Sequence, residues 1–262
     1  MSQGSSTSQR PDQELSLVCS EVWGGNQHVH TPVALPGLQG VLYSRPCDGA
    51  LGGDVHYLSV CGSGLLSRFC LADVVGHGET VAEISTKIHR LMRRHMNTTD
   101  QRRLLRRLND DLAVVGESAM TTMAAVSYFP PQRKLSLSYA GHPPGWIYRA
   151  ETGIWTRLGL HPEESTGVHD AALAIAESNS FTRRTERVKR GDRLLLVTDG
   201  IAETPGTDGG RFGEDRIISV LDDHRDAPVE DQVSALLETL DTYRGDHTPR
   251  HDDMSLLLVE FV

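Results

Sequence analysis

The hydrophobic pattern first predicts a β-hairpin in the middle of the chain. Residues between Asp54 and Asp73 are rich in β-branched and aromatic side chains on both sides of a Gly62-Ser63-Gly64 turn signal. With that turn as the midpoint, opposite residues have numbers that sum to 127, so Asp54 faces Asp73. Carboxylates within the roughly 5 Å between cross-strand neighbours repel each other. A bound cation is the most economical compensation.

After the hairpin, the apolar period changes from two to about 3.6 residues, which predicts two helices. A capping-type break at residues 97–100 separates them. The apolar stripe of the first helix is Val81, Ile84, Ile88, Leu91 and Met92, and that of the second is Leu104, Leu105, Leu108, Leu112 and Val115.

Strand patterns return from residue 121. Three hairpins are predicted, pairing 121–129 with 134–142, 146–150 with 154–158, and 180–188 with 193–200. Two more helices follow from residue 212, and a strand over 254–262 closes the chain. Residues 16–50 contain strand-like stretches broken by Gly and Pro, and we interpret them as irregular β structure. Hairpins together with two helix pairs predict an α+β fold, with antiparallel sheets covered by helices on their outer faces.

Composition narrows the class of protein. We expect a single domain over residues 16–262, preceded by a disordered tail over residues 1–15 that lacks apolar periodicity. The net charge of -9 argues against bulk nucleic-acid binding. Without a signal peptide or a long apolar run, we expect no membrane partner and a cytoplasmic location. The four cysteines lack zinc-ligand spacing, so we expect free thiols.

Further acidic residues stand where apolar strands meet loops. Asp199 follows RLLLVT, and Asp252 and Asp253 precede MSLLLVEF. Together with Asp54 and Asp73, they could converge at one edge of the sheets. Ligation by oxygen atoms alone suits Mg²⁺ or Mn²⁺ rather than zinc. Turn chemistry by itself also places acids in loops, so the spacing leaves both interpretations open.

An ordered set of motifs covers most of the chain and favours the metal site over turn chemistry alone. The set is GGD, LADVVGHG, TTMAAV, SYAGHPPGWIYR, GDRLLLVTDGIAET, RFGEDRI and HDDMSLLLVEF. Over residues 38–262 it resembles the metal-dependent protein Ser/Thr phosphatases of type 2C, in particular the bacterial stress-response and sporulation branch that includes SpoIIE and RsbU. The resemblance implies an αββα sandwich of two antiparallel β-sheets flanked by helix pairs.

The resemblance also implies a centre of two Mn²⁺ or Mg²⁺ ions. Asp73 would bridge the ions, the Val74 carbonyl would ligate one of them, and Asp54 would serve the first ion directly or through water. Asp199 and Asp252 would serve the second ion. The implied reaction is hydrolysis of phosphoserine or phosphothreonine on a protein by a metal-activated water, without a phosphoenzyme.

Several other residues occupy motif positions. Family relatives often hold the substrate phosphate with an arginine near the start of the domain, and Arg45 is the candidate here. Asp253 stands where many relatives have asparagine. His77 and His142 lie at glycine turns, where a histidine is more often a hydrogen-bonding strut than an acid or base.

For partners, the resemblance implies a phosphorylated protein substrate, such as an anti-anti-sigma-type regulator in a partner-switching pathway. The basic residues of the helices within 80–115 form either a solvated face or a docking surface for a regulator. One alternative function is a pseudophosphatase that binds a phosphoprotein without turnover, and the retained acids speak against it. A metal-dependent hydrolase of phosphodiesters or nucleotides is another, for which no base-stacking platform is evident.

Overall fold

A computed structural model describes residues 15–17, 22–47, 49–61, 63–76, 79–95, 98–159, 168, 170–245 and 250–262. Within these ranges the chain forms thirteen strands and five α-helices. The strands are β1 (Leu15–Ser16), β2 (Val22–Gln27), β3 (Val29–Leu35), β4 (Leu38–Arg45), β5 (Leu51–Val60), β6 (Ser67–Val74), β7 (Thr121–Phe129), β8 (Lys134–Ala140), β9 (Trp146–Arg149), β10 (Ile154–Arg157), β11 (Arg184–Arg187), β12 (Arg193–Val197) and β13 (Met254–Phe261). The helices are α1 (Glu79–Arg94), α2 (Gln101–Ala113), α3 (Asp199–Ala202), α4 (Glu214–Asp223) and α5 (Val229–Arg244).

The strands form two sheets that pack face to face. The first sheet has the order β1-β3-β4-β13-β12-β9-β10, and the second has the order β11-β8-β7-β6-β5-β2. Neighbouring strands in both sheets are antiparallel, except that β1 runs parallel to β3. The predicted pair of antiparallel sheets is therefore confirmed, with one short parallel strand added at an edge.

Three apolar clusters explain the layering. One lies between the sheets and includes Leu42, Phe69 and Leu196. A second lies between the outer face of the second sheet and helices α1 and α2, whose predicted stripes it contains, apart from Val115. The third joins α4 and α5 to the outer face of the first sheet. Successive side chains along a strand point to opposite faces of its sheet, so each sheet has one apolar face toward the other sheet and one toward a helix pair. This arrangement is the αββα sandwich.

The central hairpin has the predicted register. Strands β5 and β6 pair Val55 with Ala72 and Val60 with Ser67, and each pair of numbers sums to 127. The amide of Gly64 donates to the carbonyl of Cys61 at 2.8 Å, and Gly64 has a φ of 69° that favours glycine. The turn therefore fixes the register locally, and it places Asp54 and Asp73 one position beyond the Val55–Ala72 pair, at the open end of the hairpin.

One predicted hairpin is wrong. The stretches 180–188 and 193–200 flank a turn, yet β11 pairs with β8 in the second sheet whereas β12 lies between β13 and β9 in the first. The loop between them crosses from one sheet to the other. The buried Asp192 holds this loop in its path. Its carboxylate accepts hydrogen bonds from the amides of Ala150 and Lys189, both at 3.0 Å, and from the Arg149 guanidinium.

The N-terminal region is more regular than predicted. Within residues 16–50, β3 and β4 form a hairpin with continuous pairing from Val29–Ser44 to Leu35–Leu38, and β2 joins the second sheet. Residues 1–14 of the predicted disordered tail lie outside the described residues, while Leu15 belongs to β1. Val115 is the one predicted stripe residue that lies beyond its helix and is exposed. No helix in the described ranges is long and apolar enough to cross a bilayer.

Replacing Asp192 with alanine should lower the free energy of unfolding by about 2–4 kcal/mol, because two backbone amides and an arginine lose their acceptor in a buried position. Urea denaturation would measure the change. Asp222→Ala serves as the control, since Asp222 forms one exposed ion pair with Arg225 at 3.6 Å. Equal effects of the two substitutions would contradict the role assigned to Asp192.

Candidate metal centre

Four of the acids predicted from the sequence come from both sheets to one edge of the sandwich. Asp54 lies near the start of β5 and is 3% exposed, and Asp73 lies near the end of β6 and is partly exposed. Asp199 begins α3 directly after β12, and Asp252 precedes β13. Because β12 and β13 are antiparallel neighbours that pair Val197 with Leu256, the end of one strand lies beside the start of the other.

Thr198 ties the two sheets together at this edge. Its hydroxyl donates to a carboxylate oxygen of Asp54 at 2.8 Å and accepts from the amide of Ser255 at 2.9 Å. The Thr198 amide in turn donates to the Ser255 carbonyl at 2.9 Å. The Asp54 side chain, which belongs to the second sheet, is thus oriented by the first sheet through a buried hydroxyl.

Asp253 has a structural role that sequence reasoning missed. Its carboxylate accepts hydrogen bonds from the amides of Cys47 at 2.5 Å, Asp54 at 3.3 Å and Gly53. These amides lie about two hundred positions away in the chain, so no local signal reveals the contact. The residue fastens the start of β13 to the start of β5. An asparagine oxygen at this position could accept part of this set.

The carboxylates raise one another's pKa. Burial and then the charge of Asp73 raise the pKa of Asp54 well above its ordinary value. Burial raises the pKa of Asp73 to about 7, helped by the charges of Asp199, Asp252 and Asp253. Burial likewise raises the pKa of Asp252, with Asp199 and Asp253 adding to the effect. In the described part of the chain, no ion pair joins any of these acids to a basic side chain.

This donor set fits a hard divalent cation, because it consists of carboxylate oxygen atoms that form no ion pair with the described basic side chains. The carbonyl of Val74 is also available as a backbone ligand, because residue 53 is a glycine. A Cβ atom at that position would lie 2.9 Å from the Val74 carbonyl oxygen and would crowd it. The acids are close enough for their charges to affect one another's pKa, but their side chains do not converge on a common position. Over the described ranges, no three His, Cys, Asp or Glu side chains are close enough together to form a ready-made metal cage.

Two other candidate residues, Arg45 and His142, have different surroundings. Arg45 ends β4 opposite Met254, and its guanidinium opposes the rise that burial causes in the pKa of Tyr43. His142 is buried, and its Nδ1 lies 2.8 Å from the Pro143 carbonyl oxygen. Burial lowers the pKa of His142 to about 4, which keeps the ring neutral and suits a strut. His77 lies outside the described residues.

Comparisons with known proteins identify the family of the chain. The family model described as Stage II sporulation protein E (SpoIIE) matches residues 66–262, and the chain therefore belongs to the SpoIIE family. This confirms the family resemblance that the motifs carry. Phosphatases of the type 2C class, to which the family belongs, depend on divalent metal ions.

Among characterised proteins, the chain is similar to the phosphoserine phosphatase RsbU of Bacillus subtilis (strain 168). The two are 22% identical over 194 residues, which cover 73% of this chain and 55% of RsbU. The chain thus spans about half the length of that relative.

Solved structures share the fold. The SiaA-PP2C domain of Pseudomonas aeruginosa superposes with a TM-score of 0.68 at 21% identity, covering 84% of this chain and 85% of that one. RsbX in complex with magnesium superposes with a TM-score of 0.65 at 17% identity, covering 89% of this chain and 100% of that one. At these identities the likeness establishes the fold, and the predicted αββα sandwich is confirmed.

In the presence of a chelator, the contribution of Asp73 to the free energy of unfolding, taken as the difference between the wild-type protein and a variant that cannot ionise there, should fall as the pH rises from about 4 to about 8. The folded-state pKa of Asp73 is raised to about 7 from an ordinary value of 3.8, so the folded protein binds more protons in this range. The stabilisation is fully present below the unfolded-state pKa and is lost as the pH passes the folded-state value. Urea denaturation at a series of pH values would measure it.

The matched variant is Asp73→Asn, which cannot ionise at this position. Its stability should exceed that of the wild-type protein by about 1–3 kcal/mol at the upper end of the range, and the two should converge at low pH. Parallel pH profiles for the two proteins would show that Asp73 does not carry the repulsion.

Asp253→Ala should cost about 2–3 kcal/mol of stability because buried amides lose their acceptor, whereas Asp253→Asn should cost less than half as much. Denaturant midpoints of the two variants, measured in chelator, test this difference. An alanine variant as stable as the asparagine variant would remove the structural role assigned to this carboxylate.

Proposed function

We propose that this domain is a metal-dependent protein phosphatase that hydrolyses phosphoserine or phosphothreonine on a protein substrate. One observation carries the proposal: acids from both sheets meet at one edge, where burial and the charges of Asp199, Asp252 and Asp253 raise the pKa of Asp73. A chain without a use for a cation here would keep a strongly repulsive cluster for no gain. Family membership and the similarity to RsbU support the same reaction.

The proposed ligands are Asp54, Asp73, Val74 through its carbonyl, Asp199 and Asp252, and they would hold two Mn²⁺ or Mg²⁺ ions. The magnesium in the RsbX structure supports a hard divalent cation. Once bound, such ions supply Lewis-acid activation of water and neutralise charge on a phosphoryl group. The proposed domain runs from residue 16 to residue 262.

Residues around the proposed ligands hold them in position at this edge. The Thr198 hydroxyl fixes the direction of the Asp54 carboxylate, and Asp253 fixes the backbone on which Asp54 stands. Gly53 leaves the Val74 carbonyl uncovered. Arg45, at the end of the strand next to β13, is proposed to hold the phosphate of the substrate through its guanidinium.

The proposed substrate is a small phosphorylated regulator within a partner-switching pathway, of the anti-anti-sigma type. The support is the relationship to RsbU and to other members of the SpoIIE family. The chemistry of the site requires only a phosphate monoester on an accessible side chain of the substrate.

Hydrolysis of p-nitrophenyl phosphate and of a phosphoserine protein should depend on Mn²⁺ or Mg²⁺ and stop in chelator. Asp199→Asn should lower the rate at least about a hundredfold while leaving the protein folded, since it removes a ligand charge and little volume. Asp208→Asn is the matched control, because Asp208 lies on an exposed loop where it accepts from the Gly210 amide at 3.0 Å.

Metal-dependent release in the wild type and the control, but not in Asp199→Asn, would establish the phosphatase. No release from either substrate with any metal, from a protein shown to be folded, would favour a pseudophosphatase that binds a phosphoprotein without turnover.

A further inference from the structure

The turn between α1 and α2 forms a second charged site, at the far end of α1 from the acids. The segment from Lys87 to Arg107 carries eight of the chain's 26 basic residues and a single acid, Asp100, within a protein of net charge -9. Helix α1 begins directly after the loop that follows Asp73. Its sixteen residues extend about 24 Å, so its last turn lies well away from the proposed metal ions.

Part of this basic surface is concave. A cavity of about 270 Å³ is lined by Arg94, His95, Thr98, Thr99, Asp100, Arg103 and Arg107. Three guanidinium groups and two hydroxyl groups around one depression form the donor set that proteins use for phosphate groups. The volume is below the roughly 300–1,000 Å³ of sites for drug-sized ligands, and no Phe, Tyr or Trp is among the described residues that line it, which argues against a nucleotide.

The framework of the cavity is held in place by several hydrogen bonds. Arg68, which is 2% exposed, donates from beneath to the Thr98 carbonyl. Arg107 donates to the Thr98 hydroxyl at 3.0 Å, and His95 Nε2 lies 3.0 Å from a carboxylate oxygen of Asp111 on the facing helix. These contacts hold Thr98, His95 and Arg107 in place before any anion binds.

The one acid in the cavity is already engaged. The Asp100 carboxylate caps α2 by accepting from the Arg102 amide at 3.0 Å and pairs with the Arg102 guanidinium at 2.8 Å. The hydrogen bond from Arg102 is the main reason that the pKa of Asp100 is lowered. Across the described ranges, no acid forms an ion pair with Arg94 or Arg103, and both side chains are exposed.

We propose that the cavity at the α1–α2 turn is a phosphate-binding site for a phosphorylated serine or threonine on a protein partner, separate from the metal centre. Arg94 and Arg103 contact the phosphate, while Arg107 both contacts it and positions Thr98. A phosphoprotein fits better than a free small molecule, because the cavity is shallow and open and is surrounded by further arginines on both helices. These surrounding charges suit the acidic surface of a protein.

The test uses two variants with the same change in charge. Arg94→Gln/Arg103→Gln removes two guanidinium groups from the cavity, and Arg90→Gln/Arg106→Gln removes two exposed ones from the same helices outside it. Glutamine is a good helix former, and circular dichroism would check that all three proteins fold alike. All binding measurements are made in chelator, so that the metal centre neither binds nor hydrolyses the probe.

The probes are a short phosphoserine peptide with neutral flanks, the same peptide without phosphate, and inorganic phosphate. Two-dimensional amide NMR spectra would report binding at Thr98, Thr99 and Arg103. The phosphopeptide should shift these amides, and its affinity should fall about fivefold to tenfold in the cavity variant and less than about twofold in the control variant. The unphosphorylated peptide should leave these amides unchanged.

Three results would overturn the proposal. One is the absence of any shift at these amides with the phosphopeptide. Another is an equal loss of affinity in both variants, which would indicate general charge attraction. The third is tighter binding of inorganic phosphate than of the phosphopeptide, which would assign the cavity to a free anion. Because the test is run without metal, each result stands whether or not the domain proves to be a phosphatase.

Discussion

The mutual repulsion of the carboxylates at the joined edge of the two sheets is the constraint on which the rest of the site depends. Burial removes the water that would screen them, so each acid makes its neighbours harder to ionise. Hydrogen bonds from Ser255 and Thr198 lower the pKa of Asp54 in part, whereas burial and the charges of the neighbouring acids raise the pKa of Asp73. The carboxyl proposed to contact both ions is thus one whose charge a bound cation would stabilise.

Holding such a cluster together requires a stiff frame. The Thr198 hydroxyl and the Asp253 carboxylate link the first sheet to the second at the edge where the acids lie. Both links are buried or partly buried, and Asp253 binds backbone amides, which cannot rotate away as a side chain could. The apolar layer between the sheets fixes the rest of the sandwich, so the positions of the acids follow from the packing of the whole domain.

Local signals in the sequence were enough for some of this architecture and not for the rest. The register of β5 and β6 followed from one glycine turn, because a short hairpin leaves few alternatives. The turn at residues 189–192 has a similar composition, yet the chain crosses there between sheets, since the partners of β11 and β12 are distant in sequence. Asp253 is a comparable case: its motif pointed to a place near the metal, but its amide partners on β5 depend on the folded arrangement.

The two charged sites divide the molecule into regions of opposite character, and this has a consequence for the order of binding. A phosphate dianion that approaches the acidic edge without metal meets several carboxylates, none of which is in an ion pair with a described basic side chain. It is therefore repelled until divalent ions are bound. The arginine-lined cavity attracts the same kind of group with or without metal. Helix α1 connects the two sites, because it follows the loop after Asp73 and its last residue, Arg94, lines the cavity. Metal availability would then control turnover at one end of the helix without changing recognition at the other, so that a phosphoprotein held at the cavity need not be one that is being hydrolysed.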